Sequence, residues 1–147
     1  MHVIILENIR SLNNVGAIFR TADGAGFDRV ALVGYTPTPP REEISKTALW
    51  AEVFVPWEYF VNIESAIEHY KTQGCTIIAL EKNKKSINLF DLEKPTSVAL
   101  IVGNELEWVS EIAQEMAEYI CHLPMLGEKE SLNVAVAAGI GMYAIAV

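Results

Sequence analysis

Cysteine, histidine and positive charge are all scarce in this 147-residue chain, and each scarcity excludes something. Cys75 and Cys121 are the only cysteines, each in apolar surroundings and neither part of a Cys-x-x-Cys pair. Buried thiols in a reducing compartment are therefore expected, with neither a disulfide nor a thiolate metal site. His2, His69 and His122 are scattered without ligand spacing, so no metal is expected. Lys and Arg number 11 against 19 Asp and Glu, giving a formal net charge of −8 and a pI of about 4.8. That balance opposes binding to nucleic acid over the whole surface, because phosphates call for Lys and Arg. A local patch is still compatible with it, and Arg10, Arg20, Arg29 and Arg41 are candidates, with Lys82, Lys84 and Lys85 as a second cluster. Without a partner, these are ordinary solvated side chains.

Long apolar runs are missing too. The longest, Val134–Val147, is 14 residues and contains Gly139 and Gly141, whereas a membrane span needs roughly 20. A buried helix is the expectation there. The opening Met1–Glu7 lacks the basic flank and apolar core of a signal peptide, so a cytoplasmic protein with no membrane partner is expected. Neither the phosphate-loop pattern GxxxxGK[ST] nor the dinucleotide pattern GxGxxG occurs.

The remaining composition, 51% hydrophobic and 20% charged, suits a folded domain with a real core, read as one unit over residues 1–147. Short apolar runs alternate with helical patterns. Strands are expected at Val3–Leu6, Val30–Val33, Val53–Val55, Thr76–Leu80, Ser97–Val102 and Tyr119–Leu123. Helices are expected from an Asn14 cap to Gly24 or Gly26, and at Glu42–Leu49, Ile63–Thr72, Val109–Ala117 and Ser131–Val147. Thr36–Pro40 carries three prolines and is excluded from regular structure, and Lys82–Ser86 reads as a basic loop. This alternation predicts an α/β fold, a Rossmann-like parallel sheet covered by helices on both faces. Ligands of such sheets bind beyond the carboxyl ends of the strands. Three loops leave those ends: Glu7–Asn14, Gly103–Trp108 and Leu123–Asn133.

Three constellations fall in or near these loops. In the first, Asn14 stands at a helix mouth and Arg20 nearly two turns further on, inside the apolar set Ala17, Ile18, Phe19 and Ala22. A buried guanidinium there needs a partner; a surface one does not. In the second, Gly103-Asn104-Glu105 follows the buried strand ending at Val102. Gly103 permits a tight turn or close ligand approach, and Glu105 is either a site carboxylate or a helix-start acid. In the third, Leu123-Pro124-Met125-Leu126-Gly127 leads to Ser131-Leu132-Asn133, with Ser131 as the expected cap and Asn133 in the first turn. Loop backbone and helix start together offer free N–H donors suited to a purine edge and a carboxylate.

Taken together and in this order, the segments Asn14–Ala22, Val102–Glu105 and Leu123–Ala135 resemble the three motifs of the SpoU/TrmH family within the SPOUT methyltransferase superfamily. Ser45–Leu49 and Val55-Pro56-Trp57 also resemble it, so the likeness runs through essentially the whole chain. The resemblance implies a domain whose C-terminal segment is threaded into a deep trefoil knot, something no periodicity would suggest. It implies a homodimer, with the apolar last helix and its small residues Ala137, Ala138, Gly139 and Gly141 at the two-fold.

It also implies S-adenosylmethionine as cofactor, held by Val102, Gly103, Asn104, Leu123, Met125, Gly127, Ser131, Leu132 and Asn133. The implied reaction is methyl transfer to a ribose 2′-hydroxyl of tRNA or rRNA. Arg20, Asn14, Glu105 and Asn133 would be the catalytic set, with Glu105 the electrostatic partner of Arg20. A guanidinium stays protonated near neutral pH, so a role in orienting phosphate and stabilising a developing alkoxide fits better than that of a base. The chain departs from the family where relatives carry glycines after Gly-Asn-Glu: here the run is Leu106-Glu107-Trp108-Val109-Ser110. That departure raises an alternative, a catalytically weakened RNA-binding or scaffold relative that keeps the fold. No N-terminal RNA-binding extension is read in the chain, so recognition is expected from the dimer surface or a partner.

Overall fold

A computed structural model describes residues 1–147. Seven parallel strands, among them β2 (Arg29–Val33), β3 (Trp57–Phe60), β5 (Ile87–Asn88) and β7 (Tyr119–His122), form one sheet in the order β3-β2-β1-β6-β4-β7-β5. The central three, β1 (His2–Glu7), β6 (Val98–Gly103) and β4 (Thr76–Leu80), are nearly continuous apolar runs, as strands buried on both faces must be. Along them side chains alternate between two cores. Ile4, Leu6, Val98, Leu100 and Val102 face one side, where α1 (Leu12–Ala25), α2 (Glu42–Ala48) and α6 (Val134–Ala146) pack. Val3, Ile5, Ala99 and Ile101 face the other, under α4 (Ile63–Thr72) and α5 (Glu111–Met116). Each fully buried Ile or Leu here contributes on the order of 1.5–3 kcal/mol. Cys75 and Cys121 are both buried and unpaired, as expected, and burial pushes the Cys121 thiol up to about 11.

The expected α/β architecture with a parallel sheet is therefore present, and α4 and β4 coincide with the sequence reading residue for residue. Several details differ. The first helix starts earlier, because Ser11, not Asn14, is its cap: the Ser11 hydroxyl accepts the Asn14 N–H at 3.1 Å. Gly26 closes that helix in the left-handed conformation (φ 71°). The expected strand Val53–Val55 is instead the end of a short helix, α3 (Ala51–Phe54), with Val55 as its C-cap. Left-handed turns at Leu49 and Trp50 break the chain and restart it as helix, overriding the β-branched composition. The edge strand β3 (Trp57–Phe60) follows after Pro56. A two-residue strand, β5 (Ile87–Asn88), pairs with β7 (Tyr119–His122) and leads into a 3-10 turn at Leu89–Asp91; the sequence reading assigns no element to either. The cap of α6 is Asn133, not Ser131. No helix is long and apolar enough to cross a membrane.

Candidate functional site

The carboxyl ends of β4, β6 and β7 open into one cleft, with Leu80, Val102, Gly103 and His122 at its base. It is a shallow cleft of about 120 Å³, open to solvent. Its walls are Asn104, Glu105 and Trp108 from the loop after β6, and Leu123, Met125, Glu130, Ser131 and Leu132 from the segment between β7 and α6. Val134 and Ala137 of α6 complete it.

Two buried devices shape the β6 loop. The first is Asn104, whose side-chain amide is fully used within the protein. Its Nδ2 donates to the Asn8 carbonyl and to the Tyr35 hydroxyl, each at 2.8 Å. Its Oδ1 accepts the N–H groups of Leu106 and Glu107 at 2.8 and 2.6 Å. The second is Glu7, 4% exposed at the end of β1, whose carboxylate accepts the Ser110 N–H at 2.8 Å and the Ser110 hydroxyl at 2.7 Å. Between them the loop must pass close to β6: a Cβ on Gly103 would lie 2.2 Å from the Trp108 carbonyl oxygen. Trp108 itself is left-handed (φ 62°), which an L side chain adopts at a cost of about 1 kcal/mol or more.

The opposite wall is different in kind. From Pro124 to Leu132 the chain makes no hydrogen bond, backbone or side chain, to the rest of the protein. It is bracketed by the end of β7 and by Asn133, whose Oδ1 accepts the N–H groups of Ala135 and Val136 at 2.8 and 3.3 Å. A run of unengaged N–H and C=O groups beside apolar side chains offers edge-on hydrogen bonds to a flat heterocycle. Glu81, Glu105 and Glu130 set a negative rim, with Lys82 and His122 alongside. None of the three carboxylates is ion-paired. Such a rim suits a cationic ligand.

Seven of the nine residues expected to hold a cofactor line this cleft: Val102, Gly103, Asn104, Leu123, Met125, Ser131 and Leu132. Gly127 and Asn133 lie outside its lining. Of the four expected catalytic residues, Glu105 is in the cleft, and Asn14 and Asn133 meet beside it, Asn133 Nδ2 standing 3.5 Å from Asn14 Oδ1. Arg20 does not join them within one chain. It is exposed, so it needs no buried partner, and it makes no ion pair with Glu105. It lines a separate depression with Lys46, Thr47 and Tyr143 on the face of α1, α2 and α6. Sequence reasoning missed Leu80, Glu81, Lys82 and His122 as cleft residues. For the first two, the available signal was a polar turn directly after a buried strand.

Fold and cleft together define an α/β domain with an open cleft beyond its strand ends, walled in part by its own C-terminal segment. The chain belongs to the SpoU rRNA Methylase family, whose model matches residues 1–143. A Staphylococcus epidermidis protein named for the TrmH family of tRNA/rRNA methyltransferases is 29% identical over 97% of this chain. The chain spans 57% of that relative's length. The AdoMet-bound rRNA methyltransferase from Sinorhizobium meliloti superposes with a TM-score of 0.91 at 28% identity, over 98% of this chain and 55% of that one. The A. aeolicus TrmH/SpoU tRNA modifying enzyme superposes with a TM-score of 0.87 at 28% identity, over 98% of this chain and 73% of that one.

Proposed function

We propose that the protein is an S-adenosylmethionine-dependent RNA methyltransferase that modifies a ribose 2′-hydroxyl of tRNA or rRNA and works as a homodimer. The observation that carries this is the cleft, with one rigid wall at Gly103–Trp108 and one unengaged wall at Pro124–Leu132, in a chain of this family. The residues present fit the methyl donor. Leu123, Met125 and Leu132 give apolar walls for an adenine, and the free backbone groups meet its edge. Glu105 and Glu130 complement a sulfonium and an ammonium. The AdoMet-bound S. meliloti enzyme supports the same identity for the ligand.

The donor supplies a methyl on sulfonium sulfur: the C–S bond breaks with its electron pair kept by sulfur as the ribose oxygen forms the new C–O bond. The protein's part is alignment and charge. Asn14 and Asn133 present amides at the cleft's edge that hold the ribose. Arg20 binds the adjacent phosphate and stabilises the negative charge developing on the ribose oxygen, while the 2′-hydroxyl proton passes to water. Arg20 and Glu105 stand apart in one chain, so the complete site in this proposal spans a two-fold, with Arg20 supplied by the second protomer. The exposed apolar surface of α6, Val136 (51%), Ile140 (37%) and Tyr143 (46%), supports such an interface. The C-terminal segment, in the same proposal, is threaded as a deep trefoil knot, and residues 1–147 act as one unit in the cytoplasm.

The test is transfer of labelled methyl from S-adenosylmethionine to total small RNA, followed by nuclease digestion to nucleosides. A labelled 2′-O-methylnucleoside is the expected product; label on a base would overturn the ribose assignment. The loop residues Leu106 (72% exposed) and Trp108 (51% exposed) favour one second reading, a weakened relative that binds RNA as a scaffold. It predicts RNA binding with no labelled product.

A further inference from the structure

A second groove runs beside the cleft, between the edge strand β3 and the proline-rich segment 34–41. Tyr35, Trp57, Tyr59, Pro37, Pro39 and Arg41 line it. Tyr35 and Tyr59 are 47% and 48% exposed, an unusual outlay of aromatic surface for a strand edge. Both rings are held by their tips. The Tyr59 hydroxyl donates to the Gly34 carbonyl at 2.8 Å. The Tyr35 hydroxyl accepts from Asn104 at 2.8 Å and donates to Glu107 at 3.2 Å. The floor beneath them is fixed as well: buried Thr36 accepts the Ile9 N–H at 3.0 Å, and its hydroxyl stands 2.8 Å from the Val33 carbonyl oxygen. What these tyrosines offer a ligand is therefore fixed ring surface, on Tyr35 only what Arg10 leaves uncovered, and no hydroxyl donor.

We infer that this groove is a stacking site for an unpaired RNA nucleotide flanking the one that is modified. Three observations select that occupant. A flat base needs only ring faces, which cost little entropy when already fixed. A proline-rich peptide is the other familiar tenant of an aromatic groove, but it draws on tyrosine hydroxyls and indole N–H groups to bind its carbonyls, and with both tyrosine hydroxyls taken only the Trp57 indole N–H is left to it. Charge agrees in a chain that is otherwise acidic. Arg41 lines the groove and the Arg10 guanidinium stacks on the Tyr35 ring, 5.5 Å from its centre. Their pairings with Glu43 (3.3 Å) and Glu107 (3.5 Å) are exposed and weak, so a phosphate displaces them at little cost. The groove is also joined to the cleft: Tyr35 touches Asn104, the neighbour of Glu105. A strand with one ribose at the cleft continues naturally over the tyrosines. This inference rests on the proposed RNA substrate and adds where single-stranded RNA is gripped.

The test uses the full chain and a nine-nucleotide oligoribonucleotide carrying 2-aminopurine, single-stranded or annealed to its complement. With the single strand, quenching of 2-aminopurine is expected, and the duplex binds far more weakly. Tyr59→Leu weakens single-strand binding about ten-fold or more. Arg41→Ala weakens it and lowers the slope of log affinity against log salt by about one. Affinity for S-adenosylhomocysteine is unchanged in both variants, which also reports that they are folded. Unchanged single-strand affinity in folded Tyr59→Leu would overturn the inference, as would displacement of the RNA by a proline-rich peptide. Methyl transfer that proceeds with an unchanged KM for RNA in Tyr59→Leu would sink the groove and leave the proposed function standing. Failure of the unaltered protein to bind any RNA would sink both.

Discussion

Gly16 governs how closely α1 and α2 approach. A Cβ there would lie 2.0 Å from Thr47 Oγ1 and 2.3 Å from the Ile44 carbonyl oxygen. Gly16→Ala therefore forces the helices apart, and a loss of about 1–3 kcal/mol is expected, read as a lowered melting temperature. On the far side of the sheet, Glu58 accepts from Arg29 and from the Tyr70 hydroxyl at 3.2 Å. Burial raises its pKa, but the Arg29 hydrogen bond and charge and the Tyr70 hydrogen bond outweigh it, so the carboxyl is held below its ordinary value. A depressed folded pKa stabilises above the unfolded value, about 4.3, and that stabilisation is lost as pH falls through the folded one. Glu58→Gln should therefore melt below the unaltered protein at pH 6, and the gap should close below about pH 4; a gap independent of pH would refute the ion pair. At this scale the place of Glu105 in the cleft was legible, because a polar run directly after a buried strand is conspicuous. Glu7 was not, since its partner Ser110 is 103 positions away.

Elements were read most faithfully where periodicity and caps agree. Helix α4 carries its cap Asn62, whose Oδ1 accepts the Ser65 N–H at 2.9 Å, and a clean apolar stripe. Val53–Val55 misled because three β-branched or aromatic residues look like strand, while the decisive feature, left-handed backbone at Leu49 and Trp50, leaves no mark in non-glycine sequence. Helix α6 is apolar on every side, so only its cap sets its start. There Asn133 has two tasks: it caps α6 and faces Asn14. Asn133→Ala should cost about 1 kcal/mol of stability as well as methyl transfer. Asn133→Ser restores a cap without the amide. We expect it to recover the melting temperature but not the activity; recovery of both would reduce Asn133 to a cap.

For the whole molecule, the parallel sheet was legible from alternating buried runs and polar loops. The proposed threading and assembly have no period in sequence and come from the family resemblance alone. The exposed apolar set on α3 and α6, with Trp50 at 65%, Phe54 at 74% and Val136 at 51%, is large for a lone chain. Light scattering at micromolar concentration should report twice the 16.3 kDa chain mass. If the site spans the two-fold, Arg20→Ala and Glu105→Gln are each inactive alone, with Arg20→Ala keeping cofactor affinity within a few-fold. Mixed in equal amounts and allowed to exchange, they should regain about a quarter of normal activity, since half the dimers carry one intact site of two. No recovery on mixing would confine each site to one protomer.

The most direct measurement is a crystal structure of the protein grown with S-adenosylmethionine. The account predicts the adenine between Leu123 and Leu132, hydrogen-bonded to backbone of the Pro124–Leu132 segment, with the methyl group facing Glu105 and Asn133. A donor bound elsewhere, or a cleft that stays empty at saturating concentration, would contradict it.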